Sequence, residues 1–325
     1  MASATVLFPL ATSRYRVLRP LARGGLSAVF LARDEELNRD VALKMMRGVR
    51  GKSSWGKSRL LFEAEVTAGL EHPGVVPVYG RGEDAFGQPY FTMRFVRGEN
   101  LSEAADALLK VESPRARTRV LRRLIDRLVD VCYTVDFANR RGMIHRDLTP
   151  RNMMLGHHGE TLVVDWGLAR QVDCEGPDVD LPPGWPASAR GLSGTRLGAS
   201  VGTSRYMSPE QAEGRWDRLG PATDVFGLGA TLYRLLTGRA PFAAADDATS
   251  EARATRVQCE APRKLDRRIP AALETVCLKA MMREPEARYA SAVGLGDDLA
   301  KWVAGEPVSV PRAATLRQWE RLKGP

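Results

Sequence analysis

Hydrophobic periodicity changes character once along this chain, near Gly98, and that change limits the folds open to it. Before it, apolar residues fall in short β-type runs at 15–18, 28–32, 41–46, 75–79 and 90–96. One stretch, 58–70, breaks the pattern with Leu60, Leu61, Ala64 and Ala68 at helical spacing. This part predicts a small sheet carrying one helix. After Gly98 helical spacing dominates. Ser113-Pro114 is a start signal, a capping hydroxyl followed by proline at the first helical position. Val120, Leu121, Leu124, Ile125, Leu128 and Val131 then line one face until Arg141-Gly142. A β-rich island at 143–166 interrupts the helices, which resume over 224–237, 271–282 and 290–303. Residues 173–202, rich in Pro, Gly and Ser, have no apolar period and predict a long loop or lid. The expected class is α+β, divided as 15–98, 99–304 and a basic tail at 305–325.

Charge and cysteine usage narrow the function. The 48 basic residues outnumber the 39 acidic ones, giving a formal net charge of +9. Both signs are interspersed along the whole chain, with no zinc-finger spacing and no aromatic RNA-binding signature. The expectation is arginine-rich solvated faces, some of them favouring acidic partners, and no nucleic-acid partner. Cys132, Cys174, Cys259 and Cys277 form no C-x-x-C pair. With no signal peptide in view, reduced thiols and a cytoplasmic location are expected. No apolar run approaches the ~18–20 residues of a membrane helix.

Four separated clusters carry polar residues suited to one reaction. Residues 21–30 read L-A-R-G-G-L-S-A-V-F, a turn whose small residues let backbone N–H groups approach an anion closely. Residues 41–44 read V-A-L-K on a strand, with L-F-E-A-E-V at 61–66 on the following helix. Residues 145–152 read H-R-D-L-T-P-R-N, and 163–170 read V-V-D-W-G-L-A-R. Three further matches follow: V-G-T-S-R-Y-M-S-P-E at 201–210, D-V-F-G-L-G-A-T-L-Y at 224–233 and R-E-P-E-A-R-Y at 283–289.

In this order the clusters resemble the signature set of bacterial eukaryotic-like (Hanks-type) serine/threonine protein kinases, over roughly residues 15–303. The resemblance implies a bilobal fold, a small β-sheet N-lobe with one main helix and a larger helical C-lobe, using ATP and Mg2+ on protein substrates. It makes Gly24 and Gly25, with Ala22 and Ser27 at two positions usually held by glycine, the phosphate-covering loop. Lys44 becomes the phosphate anchor, oriented by Glu63 rather than Glu65. Asp147 becomes the carboxylate that orients and deprotonates the substrate hydroxyl. Asn152 and Asp165 become the metal ligands, oxygen donors suited to a hard cation. Met93 is the expected gatekeeper, with the Arg94 carbonyl and the Val96 amide facing adenine. Leu21, Val29, Ala42 and Leu155 would sandwich the base. Thr203 would pack against Asp147, Asp224 would hold the loop at 145–152, and Glu210 would pair with Arg288. His145 is expected to be a packed structural histidine. Autophosphorylation is expected in the lid, among Ser188, Ser193, Thr195, Ser200 and Thr203, with Ser193, Thr195 or Ser200 pairing with Arg146.

The chain departs from that pattern in places. Thr149 occupies the position where these kinases carry a γ-phosphate lysine, and Arg151, two residues on, is expected to supply the missing charge. Trp166 replaces the usual phenylalanine, and Arg94 stands where an acid usually follows the gatekeeper. Thr149, Ala22 and Ser27 raise an alternative, a weakly active pseudokinase serving as a nucleotide-binding scaffold. The tail suggests either a basic juxtamembrane segment of a longer, tethered protein or a helix docked through Leu316 and Trp319.

Overall fold

Alternation decides the first strands. In Ser27–Asp34 every second side chain is buried, so Ala28, Phe30, Ala32 and Asp34 face inward while Val29 and Leu31 are half-exposed. The computed structural model describes residues 14–24, 27–46, 54–172 and 203–321. Contacts divide them into two compact units: residues up to Glu71 together with Val76–Arg97, and His72–Val75 with the residues from Gly98 onward.

The first unit comprises β1 (Tyr15–Arg23), β2 (Ser27–Asp34), β3 (Arg39–Met46), α1 (Ser54–Gly69), β4 (Val78–Glu83) and β5 (Pro89–Arg94). The strands form one antiparallel sheet in the order β1-β2-β3-β5-β4. Tyr15, Phe30, Val41, Leu43 and Tyr90 make one core cluster. Met46, Leu60, Ala64 and Phe91 make a second, through which α1 packs on the sheet. The fourth strand lies later than the apolar run at 75–79 suggests. Val75 belongs to the second unit, where it makes an isolated parallel bridge to Val163, and the ladder of β4 begins only at Val78. Pro77 has no N–H to donate and contributes only its carbonyl, which accepts from the Arg94 amide at 2.9 Å. The fifth strand stops at Arg94, short of Val96.

The second unit is mostly helical. It comprises β6 (Gly98–Asn100), α2 (Leu101–Leu109), α3 (Pro114–Arg140), β7 (Met143–Ile144), β8 (Met153–Gly156), β9 (Thr161–Val163) and β10 (Arg170–Gln171). The helices α4 (Pro209–Ala212), α5 (Pro221–Thr237), α6 (Asp247–Thr255), α7 (Pro262–Leu265), α8 (Ala271–Ala280), α9 (Ala292–Ala304) and α10 (Arg312–Arg321) follow. The Ser113 hydroxyl caps α3 as the sequence predicts, accepting from the Ala116 amide. Leu121, Leu124, Ile125, Leu128 and Val131 are buried along that helix, while Val120 is half-exposed. The strands pair as β6-β8-β9 and as β7-β10. Helix α5 is buried on nearly every side, as a helix without a polar stripe must be. Gly229 permits its contact with α8, since a Cβ there would meet that of Ala280 at 2.7 Å. The segment after α9 is ordered, and Trp319 of α10 is 2% exposed against α8. Among the described residues no helix is long and apolar enough to cross a membrane.

Candidate active site

The loop joining β7 to β8 carries His145, Arg146, Asp147 and Asn152, and its backbone is fixed by one buried carboxylate. Asp224, near the start of α5 and 1% exposed, accepts from the His145 amide (2.8 Å), the Arg146 amide (2.9 Å) and the Asn139 side chain (2.9 Å). Burial raises its pKa, and these donors offset only part of that rise. Arg146 is held at φ +67°, a left-handed conformation that costs about 1–3 kcal/mol for a non-glycine residue. The Asp224 carboxylate, accepting the amides of His145 and Arg146 together, pins it there. Gln211 braces the same residue by donating to the Arg146 carbonyl (2.9 Å). The hydroxyl of Thr231 donates to the Leu148 carbonyl (2.9 Å).

His145 is a strut. Its ring lies 4.6 Å from that of Trp166, and Nδ1 accepts the Asp147 amide at 3.2 Å while Nε2 donates to the Val164 carbonyl at 3.2 Å. These two bonds specify the neutral tautomer with its proton on Nε2. Trp166 itself is fully buried, so the larger ring in place of phenylalanine fills its site completely.

Asp147 is nearly buried, and Asn152 spans it: Nδ2 donates to the Asp147 carbonyl (2.8 Å) and to Oδ2 (3.0 Å). Both amide protons are thereby committed, and the oxygen is the atom Asn152 can offer a cation. The Val164 amide donates to the Asn152 carbonyl (2.9 Å), tying this turn to the residue preceding Asp165. Asp165 is exposed and left-handed at φ +63°. The donor set for a metal is thus one carboxylate and one amide oxygen. That fits Mg2+, which keeps several waters and takes one or two protein oxygens plus phosphates rather than an all-protein cage. Among the described residues no group of three or more His, Cys, Asp or Glu side chains forms such a cage. Arg151 is exposed on the same short turn, Pro150–Asn152, and Thr149 is 8% exposed. Leu155 lies on β8, half-exposed, opposite Glu99 and Thr161. Thr203 opens a 3-10 turn that ends at Tyr206. Its side chain lies outside the described residues, as do Gly25, Ser188, Ser193, Thr195 and Ser200.

The first unit holds the remaining candidates. The Lys44 ammonium on β3 sits 2.6 Å from Oε1 of Glu63 on α1, both side chains under 10% exposed. Glu65 instead pairs with Arg81 at 3.0 Å on the surface. Val29 lies opposite Lys44, and Ala42 lies between Leu31 and Met93 in the ladder. Leu21 falls in an irregularity of the β1–β2 pairing, and exposed Ala22 lies opposite Val29. The turn between these strands is drawn in by the Gly24 amide, which donates to the Ser27 carbonyl at 2.9 Å. Arg94 closes β5, and Val96, 8% exposed, lies just beyond it.

One further pair stiffens the helical unit. Arg288, 4% exposed, meets Glu210 through both terminal guanidinium nitrogens, at 2.8 and 2.7 Å. Burial would raise the Glu210 carboxyl, but the Arg288 hydrogen bonds and charge win, and its pKa lies below the usual value.

A family model described as the protein kinase domain matches residues 15–295. The chain belongs to the protein kinase family. Its α+β fold, a sheet-based unit and a helical unit, is the one the sequence motifs imply. The serine/threonine-protein kinase PknB of Mycobacterium tuberculosis is 33% identical over 307 residues, covering 94% of this chain and 45% of its own. A probable serine/threonine-protein kinase of Streptomyces coelicolor is 30% identical over 303 residues, covering 92% and 41%. The serine/threonine-protein kinase PknD of Chlamydia felis is 32% identical over 307 residues, covering 92% and 32%. The chain spans less than half the length of each of these relatives. Their names agree with the bacterial serine/threonine branch read from the motifs.

Asp224 aside, sequence reading misses residues that position this kinase's loop from outside it. Gln211 has a visible signal: Ser208 and Gln211 form a reciprocal capping box at the start of α4, and the same side chain then reaches Arg146. Asn139 has none beyond being a polar residue on the buried face of α3. Its role depends on α5 lying alongside, a tertiary fact.

Proposed function

We propose that this kinase chain transfers the γ-phosphoryl group of ATP, bound with Mg2+, to serine and threonine hydroxyls of proteins, its own lid among them. The observation that carries the reading is the Asp147–Asn152 pair on a loop whose backbone Asp224 fixes, with Asp165 tethered through Val164. When bound, MgATP supplies the transferable phosphoryl group, and the cation neutralises the charge that develops on it. Asp147 accepts the proton of the attacking hydroxyl, and its Oδ2 is steered for that task by Asn152. Asp165 and the Asn152 oxygen hold the cation. Lys44, kept in place by Glu63, holds the nucleotide phosphates. Arg151 supplies the charge that Thr149 lacks, as a guanidinium able to engage phosphate oxygens. Leu21, Val29 and Ala42 are the adenine-facing residues of the first unit in this reading, with Met93 as gatekeeper and the Arg94 carbonyl and Val96 amide as polar partners, and Leu155 is that of the second. In this reading residues 15–98 hold nucleotide and 99–304 carry catalysis and substrate docking. The buried Trp319 supports a docked helix in the tail over a juxtamembrane strip. The activity belongs to a reducing, ATP-rich compartment, the cytoplasm. The pseudokinase alternative gains no support from the described residues, where the Lys44–Glu63 and Asp147–Asn152 bonds are both made.

Phosphoamino-acid analysis tests the reading: the chain is incubated with radiolabelled ATP, Mg2+ and a generic protein acceptor. Phosphoserine and phosphothreonine are expected, on the acceptor and on the chain. Label found only on tyrosine, or on neither protein, contradicts it.

A further inference from the structure

The helical unit carries an open groove of about 980 Å³ beside the end of α5 and the end of α6. Four guanidinium groups line it, those of Arg239, Arg253, Arg256 and Arg283, against a single carboxylate, Glu260. Arg283 is already engaged, 3.0 Å from Glu213. The other three are exposed, and no acid lies within ion-pair distance of them among the described residues. Arg253 donates to the Ala243 carbonyl at 2.6 Å, which fixes its head without neutralising it. By contrast, Arg218 reaches Glu284 and Glu286, and Arg268 reaches Asp266. In the groove the positive charge is in excess, and like charges held together favour an anionic partner.

The groove's wall is also a defined structure. Val257, buried and β-branched, sits at φ +51°, a conformation that costs about 1–3 kcal/mol. That turn reverses the chain between α6 and α7 and sets Arg256 and Gln258 along the groove. The opposite wall is tied to the turn at Thr203–Tyr206. The Phe242 amide donates to the Arg205 carbonyl (3.3 Å), and Arg205 donates to the Ala244 carbonyl (3.5 Å). A segment bound here lies against the same backbone that supports the turn at Thr203–Tyr206.

We propose that this groove docks an acidic stretch, a run of Asp and Glu outside the phosphoacceptor site, in the protein substrates of this kinase. The proposal rests on the function given above and adds a substrate class to it. The charges are guanidiniums, whose fork matches carboxylate as well as phosphate geometry, and two further features select a peptide over a nucleic acid. The aromatic ring in the lining, Tyr233, is buried and its hydroxyl donates to the Glu260 carbonyl, so it offers no face for a base to stack on. Exposed Leu265 adds an apolar contact suited to a mixed acidic and hydrophobic segment.

Two measurements test this, and the first needs no catalysis. Binding of a fluorescent oligoglutamate peptide to the whole chain is followed by polarisation at low and high salt. Binding that weakens with salt is expected. The triple variant Arg239→Gln/Arg253→Gln/Arg256→Gln should bind about 10-fold more weakly, each exposed ion pair being worth up to about fivefold. The double variant Arg239→Gln/Arg256→Gln, which keeps the Arg253–Ala243 bond, should lose roughly two-thirds of that on a logarithmic scale. The second measurement compares phosphorylation of one serine peptide with and without an oligoglutamate tail. The tail should lower KM for the wild type and not for the triple variant, while the tailless peptide is turned over equally by both. Peptide binding unaffected by either variant overturns the proposal. So does a single-stranded oligonucleotide that binds these arginines more tightly than oligoglutamate. If oligoglutamate binds through the arginines but neither the wild type nor a variant phosphorylates any peptide, the groove's specificity stands and the kinase reading falls.

Discussion

Removing Arg288 should destabilise the helical unit in a pH-dependent way that exposes the mechanism. Its side chain donates five hydrogen bonds: two to Glu210 and one each to the carbonyls of Met282, Ala222 and Arg283. Every guanidinium proton is used. In Arg288→Ala the Glu210 carboxylate stays buried, 3% exposed, with the Thr223 hydroxyl (2.9 Å) as its remaining side-chain donor. Breaking a buried pair from one side costs about 3–5 kcal/mol. At about 2–4 °C per kcal/mol for a unit of this size, Tm should fall by roughly 6–20 °C. In the wild type the Glu210 pKa is depressed, so its contribution is fully present above the unfolded carboxylate pKa and is lost as pH falls through the folded one. In the variant burial is opposed only by the Thr223 hydroxyl and a backbone amide, and it raises that pKa above the unfolded value. The penalty is then greatest at neutral pH and shrinks on protonation. Urea unfolding followed by far-ultraviolet circular dichroism should show the gap between the two proteins narrowing as pH drops from about 7 to about 5. Replacing both partners, Glu210→Gln/Arg288→Met, should cost less than Arg288→Ala alone. A gap that does not change with pH, or a double variant worse than the single, would refute the reasoning.

Other expectations concern single roles. Arg151→Ala should lower kcat about tenfold or more with KM for ATP little changed, since a charge aimed at the transferring phosphate acts in the transition state; an unchanged kcat removes Arg151 from the reaction. Glu63→Gln takes the charged partner from the Lys44 ammonium, and kcat/KM for ATP should fall about 10- to 100-fold in steady-state assays. Equal kcat/KM would show that Lys44 needs no carboxylate to hold it. Trp319→Ala deletes the buried anchor of α10 at a local cost of about 3–5 kcal/mol. Hydrogen exchange should accelerate across Arg312–Arg321 while phosphotransfer is unaffected, and protected amides there would contradict the docked helix.

How much of this is legible in the sequence depends on whether local or tertiary forces set each feature. Helix α3 is readable at both ends because Ser113, Pro114 and Gly142 are local signals. Periodicity misplaces the fourth strand because Val75 and Val76 are buried, at 2% and 1% exposure, without joining its ladder. An apolar run does not separate burial in a sheet from burial beside one. Helix α2 escapes the periodicity reading although Asn100 and Glu103 form a capping box, with Asn100 accepting the Ser102 and Glu103 amides. Asp246, a solvated-turn residue by its sequence neighbours, caps α6 by accepting from Thr249. In the candidate site the chemistry-bearing side chains are legible because phosphoryl transfer demands those residue types in that order. Of the supports, Asp224 and Glu63 are legible and the others are not. Asn139 and Thr231 are ordinary helix residues until α3, α5 and the loop at 145–152 are brought together, and left-handed Arg146 and Asp165 carry no composition signal at all.

The central claim is that Asp147, oriented by Asn152, takes the proton of the attacking hydroxyl. Single-turnover transfer from radiolabelled MgATP to a serine peptide, with ATP affinity measured separately, tests it by comparing the wild type with Asp147→Asn. A transfer rate about 10²–10⁴-fold lower is expected in the variant, with ATP bound as tightly. Equal transfer by the two proteins would contradict it.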